Sequence, residues 1–242
     1  LKSDYWYLPN TQNLTFNAGT STIIFLTNYS NNRLYGGGLT YNNVTFNGNG
    51  SYPGDIQNNN TFNGTVTFNN TALISGNNTF SGALNIADGG FKAGHANSFG
   101  SATITSSGGR ISTASSITLP SLTVTGNVQL DSGITTTGAQ IYNNNVVVKA
   151  GSRATAAEIS TTNSNISFIG TLKGEGNAKA RSLNIDAGTG NVLFGDRVGY
   201  AFNDEVVNIN NTADSFYKLE VDANEITIKG DVMTYEEQIY NG

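Results

Sequence analysis

The sequence predicts an all-β protein that is folded as a parallel β-helix, or β-solenoid, of about eleven or twelve coils. Short runs with strand alternation, such as VTFNG, TVTFNN and LTVTG, fill the chain, and turn residues separate them every six to twelve positions. In addition, NNTFNGTVTF (59–68) recurs as NNTFSGALNI (77–86), eighteen positions later. Self-similarity at a fixed period indicates a solenoid, because each coil stacks on its neighbour and repeats the same environment.

The eighteen-residue repeat predicts which side chains stack in a narrow core. The matched apolar pairs are Phe62 with Phe80, Val66 with Leu84, and Phe68 with Ile86. We expect each pair to occupy neighbouring strands about 4.8 Å apart. The same step carries Leu84 and Ile86 onto Ala102 and Ile104, while a step of sixteen back matches VTFNG (44–48) with NTFNG (60–64).

Glycine and asparagine are predicted to form the coil corners. Gly64 and Gly82 recur at the same place in the repeat, as a tight corner with positive φ or close backbone approach requires. Asparagine is roughly one residue in seven, and we expect it to stack into side-chain ladders at these corners. Hairpins are the alternative, because Asn-Gly turns occur at 47–48, 49–50 and 63–64.

A longer repeat favours the solenoid over hairpins. GAQIYNNN (138–145) recurs as EEQIYNG (236–242) at a spacing of 98, and SLTVTG (121–126) matches KLEVDA (218–223) at a spacing of 97. We therefore expect residues 1–242 to be a single β-helix segment of a longer repetitive protein, with a super-repeat of about 98 residues visible in 121–242.

Composition excludes several classes of function. Charged residues are 12% of the 242 residues, about half the usual quarter. The net charge is −5 and no basic cluster is present, which argues against nucleic acid as a partner. No apolar run is long enough for a transmembrane helix. The chain has no cysteine, so disulfides, thiolate metal sites and cysteine nucleophiles are excluded.

Several motifs resemble those of bacterial type V secreted proteins. NNTFSGALNIADGGFKAGHANSFGSATITSSGGRI (77–111) resembles the passenger-associated repeat of autotransporters, in which NTFSG fills the Asn-Thr-aromatic-x-Gly corner. TTGAQIYNNNVVV (136–148) resembles the TGxQxYNxxVxL segment of filamentous-haemagglutinin-like exoproteins of two-partner secretion. IDAGTGNVLFGDRVG (185–199) is similar to a strand-turn-strand element of the same exoproteins. Together these stretches cover about half of the chain.

The resemblance implies a passenger-domain fragment that forms a right-handed parallel β-helix. Such a passenger is exported through an outer-membrane β-barrel translocator to the surface of a Gram-negative bacterium, or is released from it. The TFN runs of the N-terminal third also resemble the repeats of vacuolating-cytotoxin-like proteins. The expected function is thus a structural or adhesive segment, with a host or bacterial surface receptor or glycan as partner. A toxin passenger is an alternative.

A carbohydrate-active β-helix enzyme, either a polysaccharide lyase or a hydrolase, is the other alternative. Glycoside cleavage needs two carboxylates that face each other across the bond. The close acidic pairs of the second half are Asp204 with Glu205, Glu220 with Asp222, and Glu236 with Glu237. Glu220 and Asp222 are two apart on a predicted strand, so they should share one face. We interpret all of these acids as surface charges.

The remaining chemical candidates are weak. The single histidine, His95, lies in the polar sequence AGHANS without a nucleophile elbow nearby. DAGTGN (186–191) lacks the further carboxylates of a calcium loop. We therefore predict no enzymatic activity, no cofactor, and no catalytic or metal-binding residue, while the ligand-binding residues stay unknown.

Three features bear on adhesion. KGD (229–231) resembles a short integrin-binding tripeptide, and Asn-x-Ser/Thr sequons occur at Asn13, Asn43, Asn63, Asn69, Asn77 and Asn165. Both motifs also arise by composition. Trp6, the only tryptophan, stands between Tyr5 and Tyr7. This cluster is interpreted as a cover for the end of the solenoid in preference to a sugar platform. Function is most readily sought where the repeat is interrupted, at 29–58 and 200–216.

Overall fold

The computed structural model describes residues 2–3, 5–8, 14, 16–26, 32–48, 53–94, 99, 102–113, 117–175, 181–199 and 215–242. These residues form an all-β structure of twenty-nine strands without a helix, so no described helix is of a length and apolarity to cross a membrane. The chain divides into two compact units, residues 1–120 and 121–242. The expected single segment over 1–242 stays a prediction.

The strands of the first unit are β1 (Lys2–Ser3), β2 (Tyr5–Tyr7), β3 (Thr22–Phe25), β4 (Asn32–Tyr35), β5 (Thr40–Tyr41), β6 (Asn43–Phe46), β7 (Gly54–Gln57), β8 (Thr61–Phe62), β9 (Val66–Phe68), β10 (Ala72–Ile74), β11 (Thr79–Phe80), β12 (Leu84–Ile86), β13 (Gly90–Ala93), β14 (Thr103–Ser106), β15 (Gly109–Thr113) and β16 (Thr118–Leu119). Its first sheet has the order β1-β3-β6-β9-β12-β14, its second sheet β2-β4-β7-β10-β13-β15, and its third sheet β5-β8-β11.

The strands of the second unit are β17 (Ser121–Val124), β18 (Val128–Leu130), β19 (Ile134–Thr136), β20 (Gln140–Tyr142), β21 (Val146–Val148), β22 (Ala157–Thr161), β23 (Ile166–Phe168), β24 (Leu172–Gly174), β25 (Leu183–Asp186), β26 (Asn191–Phe194), β27 (Leu219–Asp222), β28 (Glu225–Ile228) and β29 (Gln238–Asn241). Its first sheet has the order β17-β20-β23-β26-β28, its second sheet β18-β21-β24, and its third sheet β19-β22-β25-β27-β29.

This topology is that of a parallel β-solenoid, as predicted. Every strand pair that the structure describes is parallel, and none forms a hairpin. The chain visits the sheets of a unit in turn, so each coil adds a strand to the first sheet, and most described coils also add one to the second or third sheet. The first sheets hold six and five described strands, which agrees with about eleven coils. The right-handed winding that the resemblance implies stays a prediction.

Stacked aromatic rings form the core because alternate residues of each short strand point inward. Phe25, Phe46 and Phe68 stack in one column, with ring centroids 4.8 and 4.5 Å apart. A second column contains Tyr41, Phe62 and Phe80, and a third, in the second unit, contains Tyr142, Phe168 and Phe194. All of these rings are buried. The columns join consecutive coils through continuous apolar contact, which stabilises the stack.

The predicted stacking over residues 62–86 is confirmed. Phe80 pairs with Phe62, Leu84 with Val66, and Ile86 with Phe68. Glycine forms the close corner, because a Cβ on Gly82 would lie 2.3 Å from the carbonyl oxygen of Gly64.

Both extensions of the repeat are wrong. Leu84 pairs with Ile104 and Ile86 with Ser106, because the following coil has twenty residues rather than eighteen. In the other direction Val44 pairs with Val66 and Phe46 with Phe68, so VTFNG (44–48) does not stack on NTFNG (60–64). The Thr-Phe motif occurs in strands of two different sheets, and sequence similarity alone does not show which sheet such a strand joins.

Asparagine ladders at the corners are confirmed. The Nδ2 group of Asn60 donates to Oδ1 of Asn78 over 2.9 Å, and both side chains are buried. The Nδ2 group of Asn69 donates to Oδ1 of Asn47 on the surface. The amide side chain satisfies corner backbone groups that the sheets leave unpaired: Asn78 Nδ2 donates to the carbonyl of Ser75. This role gives asparagine a structural use at the coil corners.

The QIY motif of the long repeat forms the same local device in two different sheets. The buried Gln140 donates to the carbonyl of Ile134 and accepts a 2.8 Å hydrogen bond from the hydroxyl of Tyr142. Gln238 likewise donates to the carbonyl six residues earlier and accepts from Tyr240. However, β20 lies in the first sheet of the second unit and β29 lies in its third sheet. The repeated sequence thus occupies non-equivalent sheets.

Candidate functional site

Most outward positions of the first unit carry small polar side chains. The first sheet presents one such row across four neighbouring strands, formed by Thr45, Thr67, Asn85 and Thr105. Threonine suits an exposed strand because its branched side chain packs on the pleated surface while its hydroxyl contacts water. A large aromatic side chain at such a position is a departure that needs an explanation other than folding.

The second sheet of the first unit carries such a departure, a group of three outward tyrosines that we name the tyrosine patch (Tyr5, Tyr7 and Tyr35). Tyr5 and Tyr7 are 48% and 51% exposed. Their ring centroids are 5.7 Å apart with an interplanar angle of 14°, and the ring of Tyr35 lies 4.9 Å from that of Tyr7. Tyr7 and Tyr35 are direct neighbours on β2 and β4. The patch is therefore a continuous aromatic surface across two coils.

A polar network fixes the edge of the tyrosine patch. Strand pairing places Arg33 between Tyr5 and Asp55. The Nε of Arg33 donates to Oδ2 of Asp55 over 2.9 Å, and Nε2 of Gln57 donates to the same oxygen over 2.7 Å. The Asp55 side chain is only 5% exposed although it points outward from its strand, and that of Arg33 is 35% exposed.

The electrostatics of this network are balanced. The hydrogen bond to Asp55 is the main cause that raises the pKa of Arg33, and a hydrogen bond to Tyr5 adds to it. Arg33 is therefore positively charged throughout the physiological pH range and compensates the single negative charge of Asp55. The patch is thus anchored by an ion pair that leaves no net charge beside the rings.

Trp6 lies on the opposite side of β2 from the tyrosine patch. Its ring contacts Phe16 and Tyr41 edge-on, with centroids 5.7 and 6.4 Å away. Burial raises the pKa of Tyr41 well above its ordinary value. The predicted N-terminal aromatic cluster thus divides: Trp6 packs on core aromatic rings, as a covering residue should, whereas Tyr5 and Tyr7 face solvent.

A groove of about 400 Å³ lies beside Phe16 and Tyr41. Asparagine carboxamides and a threonine hydroxyl contribute to its lining, which contains no charged side chain; these polar residues are Asn17, Thr40, Asn42 and Asn63. The ring of Tyr41 is fully buried, so Phe16 is the aromatic side chain that the groove exposes. The groove offers polar contacts on an apolar floor, although its exposed aromatic surface is smaller than that of the tyrosine patch.

The acidic pair Glu220 and Asp222 shares the outward face of β27, as predicted. Each carboxylate already has a partner. Lys218 Nζ lies 3.7 Å from Glu220 and 3.1 Å from Glu237, and Asn241 Nδ2 donates to Asp222 over 2.7 Å. Two carboxylates side by side on one strand do not face each other across a cleft, as glycoside cleavage requires. The arrangement is that of surface ion pairs.

The two motif candidates in the second unit lie between strands, and DAGTGN forms a turn. In DAGTGN, Oδ1 of Asp186 accepts from the amide of Gly188, and the amide of Thr189 donates to Asn163. KGD (229–231) follows β28, and both Lys229 and Asp231 are exposed. Within the described part of the chain, no group of three or more His, Asp or Glu side chains is arranged to hold a metal ion.

The remaining residues that the sequence singled out differ in their exposure to solvent. Four of the sequon asparagines are exposed, namely Asn63, Asn69, Asn77 and Asn165, while Asn43 is half-buried. His95, Asp204, Glu205 and Asn13 lie outside the described residues. Of the interrupted stretches, 200–216 is described only at Ser215 and Phe216, whereas 29–58 contributes Arg33, Tyr35, Asp55 and Gln57 to the patch and its network.

Sequence reasoning missed these four residues of the candidate site. The usable signal lies in NRLY (32–35): if Leu34 is assigned to the core, strand alternation places Arg33 and Tyr35 outward. Their partners on β2 are 28 residues away, too distant for the short repeat to align.

No family model, curated protein or solved structure matches this chain. The function is therefore inferred from the residues themselves.

Proposed function

We propose that the chain is a structural and adhesive segment of a secreted or surface-displayed bacterial exoprotein. It attaches to host cells, surfaces or other bacteria through its outer faces. The observation that carries this proposal is the tyrosine patch, a solvent-exposed aromatic surface on a regular, stacked scaffold. Exposed apolar surface on a folded protein is characteristic of interaction sites. The sequence motifs that resemble those of type V exoproteins support the extracellular setting.

The architecture supports a surface role over a pocket-based one. The aromatic columns are sealed inside the coils, and described carboxylates such as Glu220 and Asp222 are engaged in ion pairs or hydrogen bonds. A stack of parallel strands presents side chains at regular spacing, which suits repeated shallow contacts along a surface.

Adhesion is tested with fluorescent beads coated with the purified chain. We expect retention on cultured epithelial cells, bacterial cells or polystyrene to exceed that of albumin-coated beads several-fold and to be competed by the soluble chain. Antibodies against the chain should label intact, unpermeabilised cells of the producing bacterium. Retention equal to that of albumin-coated beads on every surface would contradict the adhesive role. Release of reducing ends from a polysaccharide would favour the carbohydrate-active enzyme instead.

A further inference from the structure

The tyrosine patch is too small to be a complete interface between proteins. A stable interface buries about 800 Å² on each partner, contributed by some 20–30 residues. Three tyrosines, each able to bury at most about 150–250 Å², provide much less, because Tyr5 and Tyr7 are already about half covered and Tyr35 is more than half covered. The patch is nevertheless continuous over three rings, with centroids 5.7 and 4.9 Å apart. Its dimensions fit a narrow ligand that lies along the rings.

The chemistry of the patch selects the class of ligand. Aromatic faces bind the C–H face of a sugar ring, while neighbouring donors and acceptors bind its hydroxyl groups. The tyrosine hydroxyls, the guanidinium of the partly exposed Arg33 and the carboxamide of Gln57 supply both kinds of polar group. Asp55 neutralises Arg33, so an acidic ligand finds no uncompensated positive charge.

A network of hydrogen bonds maintains the orientation of the side chains at the edge of the patch. The carboxylate of Asp55 is almost completely buried and receives hydrogen bonds from Arg33 and Gln57. Arg33 in turn lies directly beside Tyr5 on the neighbouring strand. Preorganised side chains lose little conformational entropy when a ligand binds.

We propose that the tyrosine patch, together with Arg33 and Gln57, binds a neutral hexose-containing glycan whose sugar rings stack on Tyr7 and Tyr35. This inference rests on the proposed adhesive function and names the ligand of the same site. The polar network acts as the positioning element and the rings act as the contact surface.

Affinity electrophoresis of the whole chain tests this assignment. The native gels contain laminarin, mannan or galactan as neutral probes, and heparin or polygalacturonate as acidic ones. We expect at least one neutral polysaccharide to retard the chain. Tyr7→Ala and Tyr35→Ala should each weaken the retardation about tenfold, the loss of one well-packed aromatic contact. Tyr7→Phe should retain binding because the ring remains.

Tyr235→Ala is the matched control. Tyr235 is also exposed, at 40%, and stacks on Tyr217 with centroids 5.9 Å apart, but it lies in the second unit. Its removal should leave retardation unchanged, and thermal unfolding should show that each variant is folded. The proposal is overturned if no neutral probe retards the chain, if only acidic probes do, or if Tyr235→Ala weakens binding as much as Tyr7→Ala. A dimer that Tyr7→Ala dissociates in sedimentation experiments would assign the patch to a second copy instead, and would also overturn it.

The bead assay separates this proposal from the adhesive function. If beads with the Tyr7→Ala chain adhere as well as wild-type beads, the glycan assignment fails while adhesion stands. If wild-type beads do not adhere at all, the adhesive function fails whatever the gels show.

Discussion

Gln140 provides a sharp test of how the solenoid core tolerates polar groups. Its side chain is fully buried and donates hydrogen bonds to the carbonyls of Ile134 and Ser160, while its Oε1 accepts the hydroxyl of Tyr142. Gln140→Leu keeps most of the side-chain volume but removes every one of these hydrogen bonds. We expect it to lower the free energy of unfolding strongly.

The magnitude follows from the groups left behind. A buried Tyr142 hydroxyl without an acceptor costs about 1–3 kcal/mol, and each of the two carbonyls loses a bond worth about 1 kcal/mol. The expected total is about 3–5 kcal/mol, a large share of the roughly 5–15 kcal/mol that holds a typical domain folded. If Tyr142→Phe is added to Gln140→Leu, no unpaired hydroxyl remains, and about 1–3 kcal/mol should be recovered.

The chain contains its own control. Gln238 makes the same bonds to Val232 and Tyr240, but it is exposed in the 242-residue chain. Water replaces the lost partners there, so Gln238→Leu should cost less than about 1 kcal/mol. Urea unfolding followed by circular dichroism measures the three variants beside the wild type. If Gln140→Leu and Gln238→Leu differ by less than about 0.5 kcal/mol, burial is not the source of the cost and the reasoning is refuted.

Two further predictions concern the aromatic columns. Phe46→Ala removes the central ring of a fully buried column and should lower the free energy of unfolding by about 3–5 kcal/mol. Urea unfolding with Trp6 fluorescence as the probe measures this loss. Phe46→Leu should cost clearly less, and equal costs for the two variants would contradict the role of ring volume. Burial raises the pKa of Tyr142, so above pH 10 the folded chain keeps a proton that the unfolded chain loses, and stability falls as pH rises. At pH 7 Tyr142→Phe should have a lower free energy of unfolding than the wild type. Above pH 10 this difference should shrink by up to about 1.4 kcal/mol per pH unit, and a difference that stays constant would disprove the raised pKa of Tyr142.

The core was predictable because neighbouring coils must fill the same space. Phe62 and Phe80 occupy the same column, so the sequence repeats a residue of the same size at that place. Coil length was not predictable from one period. Successive partners are 18 residues apart between Leu122 and Gln140 but 26 apart between Gln140 and Ile166. Extra residues at a corner lie outside the core, and a longer loop adds little entropic cost, so insertions are tolerated.

The candidate site was less predictable than the core because outward positions have no packing partner to constrain them. Tyr5 and Tyr7 were visible as an aromatic cluster, yet nothing in the spacing indicated that Tyr35 joins them 28 residues later. The interrupted stretch 29–58 contains Tyr35 and Arg33, but its interruption does not single out these residues. What the sequence lacks is the pairing of β2 with β4, which alone places Tyr35 beside Tyr7 and Arg33 beside Tyr5.

The burial of the Asp55 carboxylate indicates that the patch has a role beyond stability. Threonine at this outward strand position would fold without any desolvation of charge. A buried carboxylate instead loses its hydration, and a buried ion pair returns roughly what that desolvation costs, so it adds little net stability. In the second unit, Tyr217 stacks on Tyr235, and the guanidinium of Arg153 lies over the ring of Tyr217, 4.3 Å from its centroid. The arginine beside the tyrosine patch, Arg33, is instead held by the buried carboxylate of Asp55. This is expected if Asp55 keeps Arg33 in place beside a surface that must stay accessible.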